Sequence, residues 1–219
     1  MPSFGLLDLE TEIQPLISYV MHLSLRGEVE IKVLKSYLDP DAAEAEADAV
    51  KTKARNYLQK TIWTQWKATE SNPIPVGPAP DYFGHLDTPG GDKQSKRDQS
   101  IQRGFELFTT GKGGCLKCHN DFGRANDLKI EEWGTIGRPA NLTAGTYRGG
   151  RRPIDIYYRI YGGINGTAMT KMGNQLSNDE IWDIVNFVEM MPYKGMLPED
   201  VRKQIYVPEP VAPDGHKAE

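Results

Sequence analysis

The only two cysteines of this chain lie three positions apart, and a histidine directly follows the second one. Cys115, Cys118 and His119 belong to the stretch GGCLKCHND in a sequence of 219 residues. This C-x-x-C-H spacing is the signature of c-type haem attachment. Each thiol can form a thioether to one vinyl group on a porphyrin edge, and the adjacent histidine offers a ring nitrogen to the iron. The motif therefore predicts one covalent haem c.

Two other chemistries also use cysteines at this spacing. A C-x-x-C redox disulfide usually lies beside a β-α-β unit, and no strand pattern is visible in this sequence. Half of a zinc site would need two further ligands at matching spacing. Both alternatives stay open, and the motif with its helical context favours haem.

A glycine-rich loop, GGINGTAMTKMG at residues 162–173, follows His119 and comes just before the last helical pattern. Met169 and Met172 are its two candidate thioethers for the second axial position, because no histidine lies between His119 and His216. Glycines let a backbone approach a flat ligand closely. A methionine in a loop more often fills an irregular gap, so this alternative also stays open.

Helical patterns occupy the chain before the motif. Residues 9–23 place apolar side chains at helical spacing, and Gly27 predicts the end of that helix. Residues 40–69 are rich in Ala, Glu and Lys and predict one or two further helices. The stretch NPIPVGPAP predicts an extended, semi-rigid connector, and residues 84–98 predict a mobile loop. The predicted buried side of residues 40–69 is Tyr57, Leu58, Ile62 and Trp66.

A compact unit is predicted from about Ser100. A short helix is capped there, and a second helix has Pro153 in its first turn. The last helix has Ser177 at its N-cap with Glu180 three residues later, which is a capping box. Residues 192–219 hold five prolines and predict a draped or loose tail. With no strand pattern, the predicted class is all-α.

The bulk composition excludes some functions. The formal net charge is -4, and no block of five or six like charges occurs, so nucleic acid is not an expected partner. No apolar run approaches the roughly 18 residues that a transmembrane segment needs. Hydrophobic residues make up 38% of the chain, which is lean for one large core and predicts extended or solvated parts.

From residue 100 to about residue 191 the chain resembles a class I c-type cytochrome domain. Gly104 and Phe108 match the pair on the family's first helix, which crosses the last helix. Ile184 and Phe187 match the apolar-aromatic pair on that last helix. The resemblance implies a helical domain around a covalent haem.

The resemblance also implies the ligands of the iron. GINGTAM resembles the family's ligand loop, which selects Met169 over Met172 as the partner of His119, although Thr170 replaces the usual proline. Pro139 matches the proline whose carbonyl accepts the other ring N–H of the axial histidine. The remaining candidates are three arginines, which either pair with the haem propionates or belong to a solvated basic loop. They are Arg148, Arg151 and Arg152.

Residues 1–20 align without gaps with residues 169–188. Gly5 meets Gly173, and Tyr19 meets Phe187. We therefore expect residues 1–23 to be the ligand loop and last helix of an upstream cytochrome c domain, with Met1 as a candidate axial ligand of a second haem. Bacterial relatives attach haem outside the cytoplasm and the sequence shows no leader, so we also expect a longer, tandem dihaem precursor.

The predicted function is single-electron transfer between redox proteins by a periplasmic or otherwise extracytoplasmic cytochrome of a respiratory chain, rather than an enzyme. The alternatives are a haem subunit of an enzyme, such as a dihaem peroxidase or dehydrogenase, and a subunit of a larger respiratory complex. Partner subunits would then supply any association with a membrane. The expected regions are 1–27 (domain remnant), 28–99 (helical, then Pro-rich linker), 100–192 (cytochrome c domain) and 193–219 (extended tail).

Overall fold

Helices dominate the structure, which confirms the all-α prediction. The chain forms two compact units, Met1–Pro73 and Ile74–Glu219. None of the helices in the described part of the chain is long and apolar enough to cross a membrane. The computed structural model describes residues 5–38, 47–80, 92–110, 112–125, 127–131 and 134–206.

The first unit is built from helices alone in its described part. Helix α1 spans Gln14–Lys35 after a π-helical turn at Leu9–Ile13. Helices α2 (Ala47–Asn56) and α3 (Trp63–Ser71) are joined by a π-helical segment, Tyr57–Ile62, which contacts α1.

The prediction that the first helix ends at Gly27 is wrong, because α1 continues for eight more residues. A glycine in a helix interior costs only about 1 kcal/mol relative to alanine. Burial of Val33 further along the helix offsets that cost. The described residues 28–38 and 47–71 are therefore largely helical.

The second unit contains helices α4 (Asp92–Thr109), α5 (Pro153–Gly162), α6 (Asn178–Met190) and α7 (Glu199–Ile205). A two-residue antiparallel ladder, β1 (Lys129–Ile130) with β2 (Ile136–Gly137), adds a small element that the sequence pattern did not predict.

Helices α4 and α6 cross at Gly104, as predicted. A Cβ atom on Gly104 would lie 2.6 Å from the carbonyl carbon of Asp183 and 2.9 Å from Cβ of Phe187. The rings of Phe108 and Phe187 meet edge to face there, with centroids 5.4 Å apart. The missing side chain of Gly104 therefore lets the two backbones touch.

The predicted N-cap at Ser100 is wrong, because α4 begins eight residues earlier, at Asp92. The residues before Ser100 include no glycine or proline after Asp92, so nothing ends the helix there. The Ser100 hydroxyl instead donates to the buried carboxylate of Asp183 at 2.6 Å. Residues 84–91 of the predicted mobile loop lie outside the described residues.

The predicted starts of the next two long helices agree with the structure. Pro153 is the first residue of α5. Ser177 caps α6, and Glu180 returns to the Ser177 N–H at 2.8 Å in the predicted capping box.

The connector and the tail both pack onto the second unit. Residues 74–80 form neither helix nor strand, and the Tyr157 hydroxyl donates to the Pro75 carbonyl at 3.1 Å. The tail was predicted to be extended from residue 193, and this is wrong as far as residue 206 because helix α7 forms there. Val201 and Ile205 lie four residues apart on that helix, and both are buried. Residues 207–219 lie outside the described residues.

Candidate haem-binding site

The cysteine motif forms one closed turn at the end of α4. The turn follows Gly114, whose φ of 57° is left-handed. The His119 N–H donates to the Cys115 carbonyl at 2.8 Å, and the Cys118 N–H donates to the same oxygen at 3.1 Å. Both thiols and the imidazole are therefore carried by a single turn, as attachment to one porphyrin edge requires.

His119 is oriented by a backbone carbonyl. Its Nδ1 lies 3.1 Å from the carbonyl oxygen of Ala140. A carbonyl can only accept, so Nδ1 carries the proton and Nε2 is left for a metal. Burial lowers the pKa of His119, against a smaller opposing effect of the Ala140 hydrogen bond, and this favours the neutral imidazole that binds metals.

The predicted acceptor, Pro139, is corrected by one residue to Ala140. The reason is the close packing around Gly123, whose φ is +92°. A Cβ atom there would lie 2.7 Å from Cα of Asn141. That packing presents the Ala140 carbonyl to the imidazole, and sequence spacing alone does not reveal a shift of one residue.

The two thiols differ in exposure, because Cys115 is half-buried and Cys118 is exposed. Burial raises the pKa of Cys115 to about 11. The described residues contain no cluster of three or more potential metal-binding His, Cys, Asp or Glu side chains. A structural zinc site needs four ligands, so the described residues favour haem attachment over zinc.

Phenylalanine rings form an apolar wall beside the histidine. Phe108 lies 6.3 Å from the His119 ring and stacks on Phe122 at 6.0 Å, measured between centroids. Phe105 and Phe187 complete the group at 5.6 Å from each other. The four rings are buried, and Cys115 and other half-buried apolar side chains pack against the same core. His119 therefore lies beside an apolar core, which suits the apolar body of a porphyrin.

The turn after His119 is strained and is held from outside. Asp121 and Phe122 have φ values of 47° and 54°, a conformation that costs about 1–3 kcal/mol for each non-glycine residue. Arg124 donates to the Asp121 carboxylate at 3.0 Å and to the Ile205 carbonyl at 2.7 Å. The end of α7 thus supports the turn, a contact for which the sequence carried no signal.

The two candidate methionines lie in one loop. Met169 and Met172 are both half-buried against the core of the second unit. The Ile164 N–H donates to the Met169 carbonyl at 3.2 Å, and Gly163, with a φ of +68°, makes the turn that this contact needs. The structure therefore brings both methionines to the same core as the phenylalanine wall.

Two of the three candidate arginines have partners of their own in the second unit. Arg151 donates to the Glu189 carbonyl at 3.3 Å and stacks on Tyr193. Arg152 forms an ion pair with Asp155 at 2.8 Å. Arg148 is exposed and forms no ion pair with another described residue.

Residues 101–192 match the family model described as cytochrome c. This match supports a c-type cytochrome domain at these residues, and such a domain implies a covalent haem c. No curated protein matches the chain. A chain from the reducing HAO-like protein complex of Kuenenia stuttgartiensis is 26% identical, with a TM-score of 0.38. That match covers 59% of this chain and 54% of the other, so this chain spans about half of that relative.

Proposed function

We propose that this chain transfers single electrons through one haem c whose iron is bound by His119 and Met169. The observation that carries this proposal is the hydrogen bond from His119 Nδ1 to the Ala140 carbonyl, which leaves Nε2 for the iron. The haem supplies the one-electron chemistry when it is bound. Cys115 and Cys118 would hold its edge, and the phenylalanine wall would exclude water from one face.

Hydrogen bonds hold the backbones of both methionines, so the choice of Met169 over Met172 rests on the resemblance to the family's ligand loop. The Met172 N–H donates to the Ile160 carbonyl at 3.0 Å, and its own carbonyl accepts from Leu176 at 3.0 Å. Met172 is thereby tied to α5 and to the turn before α6. Met169 lies in the glycine-flanked part of the loop, in the position that the resemblance to the family's ligand loop selects.

Leucine replacements distinguish the two sulfurs. Met169→Leu should abolish the weak long-wavelength absorption band of an iron–methionine bond in the oxidised protein, and Met172→Leu should keep it. The reverse result would assign the ligand to Met172. In the unaltered, reduced protein, carbon monoxide should leave the spectrum unchanged because both axial positions are filled. A spectral shift would favour the alternative of a haem subunit of an enzyme.

The partners and the location follow from the same proposal. The range 100–191 contains eleven Lys and Arg residues and ten Asp and Glu residues, so net charge selects no partner. A small contact surface at the haem edge suits weak encounters between redox proteins. We propose an extracytoplasmic location, as in a periplasmic respiratory chain or complex, and an extracytoplasmic reporter fusion that stayed inactive would contradict it.

We further propose that residues 1–23 are the ligand loop and last helix of a second cytochrome c unit. The structure adds one parallel to the sequence alignment. Glu12 aligns with Glu180, and both carboxylates return to the N–H of the capping residue, Asp8 in one case and Ser177 in the other. Asp8 and Glu12 are four positions apart, whereas Ser177 and Glu180 are three positions apart. The π-helical turn at Leu9–Ile13 accommodates this extra residue.

Exposure of α1 supports the same proposal. Leu16 and Val20 are 51% and 59% exposed, although full burial of such side chains is worth about 1.5–3 kcal/mol each. The sequence holds one C-x-x-C-H motif, so polypeptide outside these residues would supply the second haem. Met1 lies outside the described residues, and its role as a ligand is part of this proposal.

The haem content per polypeptide tests this second unit. The protein isolated from its native cells should carry two haems on one polypeptide or one complex. One haem on a polypeptide of this length, isolated without a haem-bearing partner, would contradict the proposal. Either result leaves the ligands of the haem at Cys115 and Cys118 as a separate question.

A further inference from the structure

A small hairpin, defined by its described residues 128–131 and 134–137, has a rigidly held glutamate at the start of its turn. The Glu131 N–H donates to the Thr135 carbonyl at 2.8 Å, and the Glu131 carbonyl accepts from the Gly134 N–H at 2.9 Å. Gly134 has a φ of +76°, which the turn requires. The backbone of Glu131 is therefore held through both of its polar groups, and this limits where its side chain can reach.

The Glu131 carboxylate bonds to the methionine loop. Its Oε2 accepts a hydrogen bond from the N–H of Ala168, the residue before Met169. The N–H groups on either side bond within the loop, that of Thr167 to the Ile164 carbonyl and that of Met169 to the Thr167 hydroxyl. Of these three N–H groups, the one of Ala168 donates to an acceptor outside the loop, and that acceptor is the Glu131 carboxylate.

Gly137 on the opposite strand makes room for this contact. A Cβ atom on Gly137 would lie 2.7 Å from Cδ of Glu131. Gly137 does not have a left-handed φ, so an alanine there is compatible with the backbone. An alanine at this position would displace the carboxylate of Glu131 without removing it.

We propose that Glu131 is a positioning residue for the axial methionine. Its carboxylate holds the Ala168 N–H, and the hairpin thereby holds the ligand loop in the conformation that presents the Met169 sulfur. This inference rests on the proposed His119 and Met169 ligation. It assigns a role to a residue that neither the C-x-x-C-H motif nor the methionine loop contains.

The holo-protein tests the proposal through competition for the iron. Imidazole, used as the probe, displaces a methionine from oxidised haem iron more easily when the methionine loop is loosened, because the open state is more populated. A hydrogen bond to a charged group is worth roughly a tenfold change in such an equilibrium. Glu131→Ala should therefore bind imidazole about tenfold more tightly than the unaltered protein. Glu131→Gln, which keeps an acceptor, should fall between them.

Two further variants separate positioning from general stability. Gly137→Ala should shift imidazole affinity in the same direction as Glu131→Ala. Glu106→Ala, which removes an exposed carboxylate from α4, should leave it unchanged. If Glu131→Ala lowers the melting temperature but leaves imidazole affinity unchanged, Glu131 is only structural and the inference is overturned.

The outcomes also distinguish this inference from the proposed ligation. If Met169→Leu keeps the iron–methionine band, the ligation itself is wrong. If Met169→Leu abolishes the band while Glu131→Ala and Gly137→Ala both leave imidazole affinity unaltered, the ligation stands and the role of Glu131 is contradicted.

Discussion

The first half of α1 and helix α6 have the same pattern of apolar residues and opposite environments. Ile184 and Phe187 on α6 are 1% and 0% exposed, whereas the aligned Leu16 and Tyr19 on α1 are 51% and 59% exposed. The π-helical turn that precedes α1 and the first turn of α6 each hold a glutamate whose carboxylate accepts from the N–H of the capping residue. The pattern thus determines which side of a helix is apolar, and the packing partner determines whether that side is buried.

Matched alanine replacements at aligned aromatic positions should show the largest difference. Phe187→Ala removes a fully buried ring from the contact with α4, so it should cost about 3–5 kcal/mol. Tyr19→Ala removes an exposed ring and should change stability by less than about 0.5 kcal/mol. Denaturant unfolding followed by haem absorbance and by circular dichroism measures both. A large loss for Tyr19→Ala would show that α1 is already covered in this chain.

The α4–α6 crossing is tested at its closest point. Gly104→Val places a side chain against the backbone of α6 and should cost on the order of 1–3 kcal/mol through overpacking. Gly195→Ala is a matched control, because a Cβ atom there has open space around it. Equal melting temperatures for the two variants would rule out the close crossing.

The two helix caps give a smaller effect. Ser177→Ala removes the hydroxyl that accepts from the Glu180 N–H and should cost about 1 kcal/mol in the haem domain. Asp8→Ala removes the corresponding cap of the first unit and should leave the unfolding of the haem domain unchanged. Unfolding monitored by haem absorbance separates the two, and an equal loss for both would mean that the units unfold together.

Acid should weaken α6 through Glu180. Hydrogen bonds from Lys112 and from the Ser177 N–H hold the pKa of Glu180 below its ordinary value of 4.5. A lowered pKa in the folded state stabilises the fold above pH 4.5, and this contribution disappears as pH falls through the lowered pKa. Glu180→Gln should reduce the pH dependence of haem-domain unfolding slightly. A reduction no larger than that of Glu106→Gln would contradict the role of Glu180.

The sequence was sufficient to predict the features of the structure that depend on neighbouring residues. The Ser177 cap and the C-x-x-C-H turn were predictable because each is encoded by neighbouring residue types and spacing. The family resemblance added Gly104, Phe108 and Phe187. These contacts lie between regular helices, where a residue's register largely sets what it faces.

Features that depend on loop packing were not predictable. The acceptor for His119 is Ala140 instead of Pro139 because of the close packing at Gly123, and no spacing rule gives that register. Helix α7 was missed because the prolines around it resemble those of an extended tail, while its apolar residues at positions 201 and 205 make too short a pattern. The hydrogen bond from the Ala168 N–H to the Glu131 carboxylate joins two segments that are distant in the sequence.

The most direct test of the central claim is the intact mass of this 219-residue chain after production in cells that attach haem c. The mass measured under denaturing conditions should equal that of the polypeptide plus one haem. The double variant Cys115→Ala and Cys118→Ala should have the mass of the polypeptide alone. A mass without haem for the unaltered chain would contradict covalent attachment at Cys115 and Cys118, and with it the account of this site.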